Sequence, residues 1–246
     1  MSVLKSIALI GTSLILLSCD ETGNGIGRGK TGEFFKDPKV IELINAAANG
    51  DIRKIDLLVK QGVDVNTRGK DNMTPLLWML QSRNREGFKC MLEHGADPNV
   101  QAEGRYSVMW FVAGGDAPEF LKLALEHGGN PDLVDPYGKR TLILESVEHG
   151  RMENVKLLIV AGANLNFQDG TGTTPLHGAA YQNYYDIIYV LLQAGADYRI
   201  KNTWDNTFVW TLEHNNIDPK SEGYKWRAKV IEFLRTRGVE VHPHIP

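Results

Sequence analysis

The sequence predicts an all-α solenoid of about six helix–turn–helix units joined by short β-turn fingers. The first observation is a repeated motif: Gly62-Val63-Asp64, Gly95-Ala96-Asp97, Gly128-Gly129-Asn130, Gly162-Ala163-Asn164, Gly195-Ala196-Asp197 and Gly238-Val239-Glu240. Successive glycines lie 33, 33, 34, 33 and 43 residues apart, and a fixed period near 33 means stacked copies of one supersecondary unit. The second is the apolar stripe before a motif, clearest in Ile187, Ile188, Leu191 and Leu192, which fall on one helical face. The third is a helix-start signature upstream of it, clearest in Thr174-Pro175.

Residues 1–18 read as an export leader. They carry one charge, Lys5, and then the apolar run 7–17, which has the length of a signal-peptide core and is too short to span a bilayer. The run ends in Leu16-Leu17-Ser18-Cys19, which resembles a bacterial lipobox. That resemblance implies that Cys19 becomes the mature N-terminus, diacylated through sulfur and acylated on its amine with a palmitate-class chain. Two or more chains give stable membrane anchoring. Asp20 and Glu21 follow. In enteric bacteria an Asp at that place resembles the signal for retention in the inner membrane. The expected address is therefore the periplasmic face of the cell envelope, inner membrane ahead of outer.

Residues 19–33 read as the lipidated cysteine and a flexible tether, with five glycines between positions 20 and 32. Thirteen such residues span roughly 20 Å on average. Residues 34–246 read as the repeat domain. Its first unit runs from about Pro38 through Ala46-Ala47-Ala48-Asn49-Gly50-Asp51 to Gly62. The second keeps Thr74-Pro75-Leu76-Leu77. The third and fourth keep only apolar character, in Ser107-Val108-Met109-Trp110 and Thr141-Leu142-Ile143-Leu144. The fifth carries Thr174-Pro175-Leu176-His177-Gly178-Ala179-Ala180, and the sixth begins at Thr207 with about ten extra residues within 214–227. In the fifth unit Thr174 can cap the first helix, the two alanines let neighbouring helices approach, and Gly195 can end the second helix in a left-handed turn. These residues resemble the ankyrin repeat, over about residues 38–241. The resemblance implies a helical solenoid that binds a protein partner and works as a monomer.

Composition excludes several classes. The formal charge is −3, or −4 once Lys5 leaves with the leader, so nothing favours a nucleic-acid backbone. With Cys19 lipidated, Cys90 has no disulfide partner and reads as a small buried hydrophobe. No nucleophile elbow, phosphate loop or Cys-x-x-Cys pair occurs, so no catalytic residue and no cofactor is expected. The histidines fit the repeat: His94 and His127 occupy equivalent Glu-His-Gly sites, His149 precedes the turn glycine Gly150, and His177 belongs to the Thr-Pro-Leu-His motif. His242 and His244 flank Pro243, with no third metal ligand apparent, and no metal is expected.

The expected partner-binding residues sit where the scaffold leaves choice. One first-helix position per unit, between the start motif and the small pair, should face the groove: Asn45, Trp78, Phe111, Glu145, Gly178 and Thr211. Trp78 and Phe111 would form an exposed aromatic hot spot flanked by Glu145, unless these irregular units use them as core. The fingers add Arg68, Lys70 and Asp71, then Glu103, Arg105 and Tyr106, then Asp135, Tyr137, Lys139 and Arg140, and finally Trp204 and Asp205. Mixed charge with Tyr and Trp suits a protein surface.

Three functions compete. The first is a lipid-anchored periplasmic binding module. Its resemblance to bacterial ankyrin lipoproteins implies a sharper form, an immunity protein that binds and sterically blocks an antibacterial effector such as a phospholipase. The second is a scaffold or protective factor for a resident envelope complex. The third is an enzyme, which would need a polar cluster with shifted pKa values in a pocket.

Overall fold

The computed structural model describes residues 28–101, 107–135, 137 and 139–242, with side chains from residue 31 onward. Among them six helix pairs follow a short N-terminal helix, α1 (Arg28–Phe34). The pairs are α2 (Pro38–Ala48) with α3 (Ile52–Lys60), α4 (Pro75–Gln81) with α5 (Arg85–Glu93), and α6 (Val108–Gly114) with α7 (Pro118–Glu126). They continue as α8 (Leu142–Glu148) with α9 (Met152–Val160), α10 (Pro175–Tyr181) with α11 (Tyr185–Gln193), and α12 (Phe208–His214) with α13 (Glu222–Arg235). From α4 onward first helices pack on first helices and second on second, giving a two-layer stack; at the first junction α2 packs mainly on α5 and less on α4. The fingers are loops apart from a 3-10 turn at Lys70–Asn72 in the first, with a single isolated antiparallel bridge, Val134 to Thr141, among the described residues.

Local chemistry sets the helix ends. Thr74 Oγ1 accepts from the Leu77 amide at 3.1 Å and Asn84 Oδ1 from the Gly87 amide at 2.7 Å. Such caps satisfy donors that no helix can satisfy itself. All six motif glycines adopt φ between 77° and 93°, the left-handed conformation expected of a helix C-terminus. The Asp or Asn two residues on explains itself as well. Its side chain accepts from the amide two residues later in Asp64, Asp97, Asn130, Asn164 and Asp197. That turn positions Asn66, Asn99, Asp132 and Asn166 to accept from the next unit's Asp97, Asn130, Asn164 and Asp197 amides, at 2.6–2.8 Å. A ladder of side-chain bonds thus fixes one repeat on the next.

The core runs the length of the stack, from Val40, Leu43 and Ile44 to Val230 and Leu234. Ala46, Ala47, Ala179 and Ala180 are buried, as close approach of first helices requires. The extra residues of the last unit form a turn at Asp218–Ser221 and lengthen α13 to 14 residues. Arg227 is buried there and donates to the Leu212 carbonyl at 2.6 Å.

One expectation fails at the N-terminus. The tether was expected to stay flexible to residue 33, yet residues 28–34 are helical and Thr31 and Phe35 are buried. The reason is Phe34-Phe35: their rings lie 5.5 and 6.4 Å from that of Trp78, which gives this segment apolar area to bury. No helix among the described residues is long and apolar enough to cross a membrane.

Candidate partner-binding surface

The surface of interest is the face made by the first helices and the fingers. The expected groove position mostly points elsewhere. Trp78, Glu145, Gly178 and Thr211 are buried, Asn45 is half-buried, and only Phe111, 46% exposed, is open. The position faces the neighbouring repeat rather than solvent. A Cβ added to Gly178 would fall 2.9 Å from Leu144 Cδ1, and Glu145 packs over Gly114. Trp78 is 1% exposed because α1 lies over it and against the first finger. There Gly69 leaves no room for a side chain: an added Cβ would stand 2.5 Å from the Phe34 carbonyl oxygen. The expected Trp78–Phe111 exposed pair is therefore corrected to Phe111 alone. The chain itself covers the start of the face.

Glu145 belongs to a charged cluster between the third finger and α8. Arg140 pairs with Glu148 and reaches Glu145 Oε2 at 3.3 Å, while its guanidinium stands 5.9 Å from the Trp110 ring centroid. His149 Nδ1 lies 3.5 Å from Glu145 Oε1 and 3.0 Å from the Glu145 carbonyl. Burial lifts the Glu145 carboxyl above the usual glutamate range, and Arg140 and His149 offset part of that rise. Arg140 thus keeps a structural ion pair while remaining one-third exposed.

The finger residues fare better. Tyr137 and Trp204 are 67% and 64% exposed. Asp205 is exposed and paired with Lys201 at 2.9 Å. Arg105 and Tyr106, like Cys19, Asp20 and Glu21, lie outside the described residues. Two aromatic residues were missed. Trp210 on α12 and Tyr181 at the end of α10 are 47% and 44% exposed. The clue was available: each adjoins a position read from the repeat, Thr211 and Ala180. With Trp204 they border a cleft of about 410 Å³ between the fourth and fifth fingers.

The histidines are scaffold. His94, His127, His149 and His214 each set Nδ1 against the carbonyl four residues back, at 2.7–3.0 Å, capping a helix C-terminus. His177 Nδ1 accepts from Thr174, and its Nε2 donates to the Asn206 carbonyl of the next finger at 3.0 Å. Burial holds its pKa below the ordinary value. Cys90 is buried, and burial pushes its thiol pKa up. His242 lies 3.6 Å from Glu240, and no group of three metal-ligating side chains occurs among the described residues.

A family model for ankyrin repeats (3 copies) matches residues 108–202. An ankyrin repeat domain from Acinetobacter baumannii AYE superposes with a TM-score of 0.64 at 27% identity, over 80% of this chain and 98% of that one. The B-cell lymphoma 3 protein homolog of Mus musculus is 26% identical over 174 residues, 71% of this chain and 32% of that protein. Protein phosphatase 1 regulatory subunit 27 of Mus musculus is 44% identical over 66 residues, 27% of this chain and 42% of that protein. The chain thus spans well under half the length of these two relatives. Ankyrin repeats are generally a binding scaffold and suggest a protein–protein interaction module. The period of 33, the paired helices and these matches agree on an ankyrin-repeat solenoid, with ankyrin repeats matched over residues 108–202.

Proposed function

We propose that this chain is a lipid-anchored, periplasm-facing module that binds and sterically neutralises an antibacterial effector. The observation that carries the binding part is the uneven face. α1 covers the face at Trp78 and the first finger, while the later units present Phe111, Tyr137, Tyr181, Trp204 and Trp210 to solvent. Large aromatic groups with a polar rim make effective hot spots. The leader, Cys19 and Asp20 support the address. An inhibitor fixed at the attacked membrane gains effective concentration, which favours capture of a toxin acting on that surface.

The experiment has two parts. Labelled palmitate should enter the wild-type chain and not Cys19→Ser. Co-expression should protect cells from a periplasm-directed toxin encoded beside this gene, and Phe111→Ala should weaken both protection and complex formation. A labelled Cys19→Ser chain would remove the anchor. A neighbouring toxin that neither binds nor is blocked would remove the immunity role.

A further inference from the structure

We propose that the cleft between the fourth and fifth fingers is a binding site for an uncharged saccharide. The cleft holds about 410 Å³, within the range of small-molecule sites. All eight of its lining residues are neutral at physiological pH. Charged side chains line instead a second cleft that shares Trp210, with Arg199, Lys201, Asp205, Glu213 and Glu240. Behind the wall of the first cleft the Asp169 carboxylate is engaged by the Thr171 hydroxyl at 2.7 Å and the Thr173 amide at 2.9 Å, so the wall itself offers a charged ligand no direct ion-pair partner to offset its lost hydration.

The chemistry of the lining is mixed in a specific way. Trp204, Trp210 and Tyr181 supply exposed aromatic surface. Asn206 and Thr211 supply a carboxamide and a hydroxyl, neither of them hydrogen-bonded through its side chain to another described residue. The Tyr181 hydroxyl accepts from Asn202 Nδ2 at 3.0 Å, which leaves its own hydrogen available. A purely apolar side chain would cover the rings and strand these polar groups, at a cost. A pyranose ring offers both partners at once, a flat face of C–H bonds for the aromatic rings and a rim of hydroxyls for the amide and hydroxyl groups.

The cleft is also held in shape before any ligand arrives. Asn202 Oδ1 accepts from the Trp204 and Asn206 amides at 3.0 and 3.1 Å. The Thr203 amide and hydroxyl both donate to the Thr171 carbonyl, at 3.0 and 2.9 Å, joining the two fingers. His177 adds its bond to the Asn206 carbonyl. Preorganisation of this kind lowers the ordering cost of binding. Tyr181, Trp204 and Trp210 also belong to the face read as protein-binding, and a sugar titration of the purified protein tests the cleft separately from that reading.

The test titrates the purified protein with maltotriose, cellotriose and tri-N-acetylchitotriose, read by tryptophan emission and saturation-transfer NMR. At least one should bind with a Kd of about 1 mM or tighter. Trp204→Ala and Trp210→Ala should each weaken it about tenfold or more. Tyr224→Ala, exposed on α13 outside the cleft, should leave it unchanged. Circular dichroism checks the fold of each variant, and Asn206→Asp, which adds a charge without removing bulk, should also weaken binding. No response to any of the three sugars at about 10 mM overturns the proposal. So does equal binding by the Trp204→Ala and Trp210→Ala variants, or tighter binding of a hexaproline peptide than of every sugar.

Discussion

Replacing Phe35 with Ala should release α1 from the face it covers. Phe35 is 2% exposed and meets the Trp78 ring edge-on at 6.4 Å. Truncating a buried phenylalanine costs about 3–5 kcal/mol. Little opposes that loss locally, because a seven-residue helix is marginal without packing. Two buried polar atoms of this contact, Thr31 Oγ1 and Trp78 Nε1, have no hydrogen-bond partner among the described residues, which already lowers the margin. A loss of about 3–4 kcal/mol corresponds to roughly a hundred- to thousandfold more opening. Native-state hydrogen exchange with mass spectrometry reads this directly. Amides of residues 31–36 and of α4 should exchange faster by that factor, while α8 to α11 keep their protection, as nearest-neighbour stability in a solenoid requires. Gly69→Ala should act the same way, since its Cβ would collide with the Phe34 carbonyl oxygen. An increase below about tenfold in both variants would refute the docking of α1.

His177→Ala should destabilise the fifth and sixth units by about 2 kcal/mol, through loss of the Thr174 capping box and the Asn206 bond, measured by urea titration. Because burial lowers the folded pKa of His177, its contribution is complete above the ordinary histidine value and declines as pH falls below about 6.5. That slope should vanish in the variant. Glu145 has the opposite sign. Its folded pKa is raised, so ionisation disfavours the fold and stability from this group declines as pH rises from about 4.5. Glu145→Gln should flatten that part of the pH profile. Asn154→Ala should cost about 2–3 kcal/mol, because its buried Nδ2 serves the Val112, Ala113 and Gly115 carbonyls at 2.8–3.1 Å, as thermal unfolding would show. Ellman's reagent should leave Cys90 unmodified until denaturant is added.

The solenoid was legible because each repeat writes its own mechanics into the chain. The glycine supplies the left-handed turn, the following Asp or Asn supplies an Asx turn, and the apolar stripe supplies the core. These are local requirements, so spacing alone exposes them. The inter-repeat ladder through Asn66, Asn99, Asp132 and Asn166 escaped the sequence, because its acceptors pair across 31 or 32 residues. The face was less legible for a related reason. Whether a first-helix residue points to solvent or to the next repeat depends on what the neighbour offers. Glu145 is buried because Gly114 leaves it space, and Trp78 because Phe34 and Phe35 arrive from outside the repeat. Periodicity within a repeat carries no record of either contact.

The buried Trp78 changes what a binding experiment can decide. Trp78→Ala would remove a core side chain and the platform for α1, so lost binding in that variant would report instability as readily as a missing contact. Phe111→Ala has the reverse character, since nearly half of that side chain already faces water and the backbone caps of α6 do not depend on it. A standard interface buries about 800 Å² on each partner, far more than one aromatic group supplies. A partner seated on Phe111 must therefore extend along the face, and α1 blocks extension over α4. The open direction runs past Arg140 and Tyr137 toward Tyr181 and Trp210. Single substitutions at Phe111, Tyr137, Tyr181 and Trp210 should consequently weaken one and the same complex, and a partner lost only with Trp78→Ala would be following the fold, not the face.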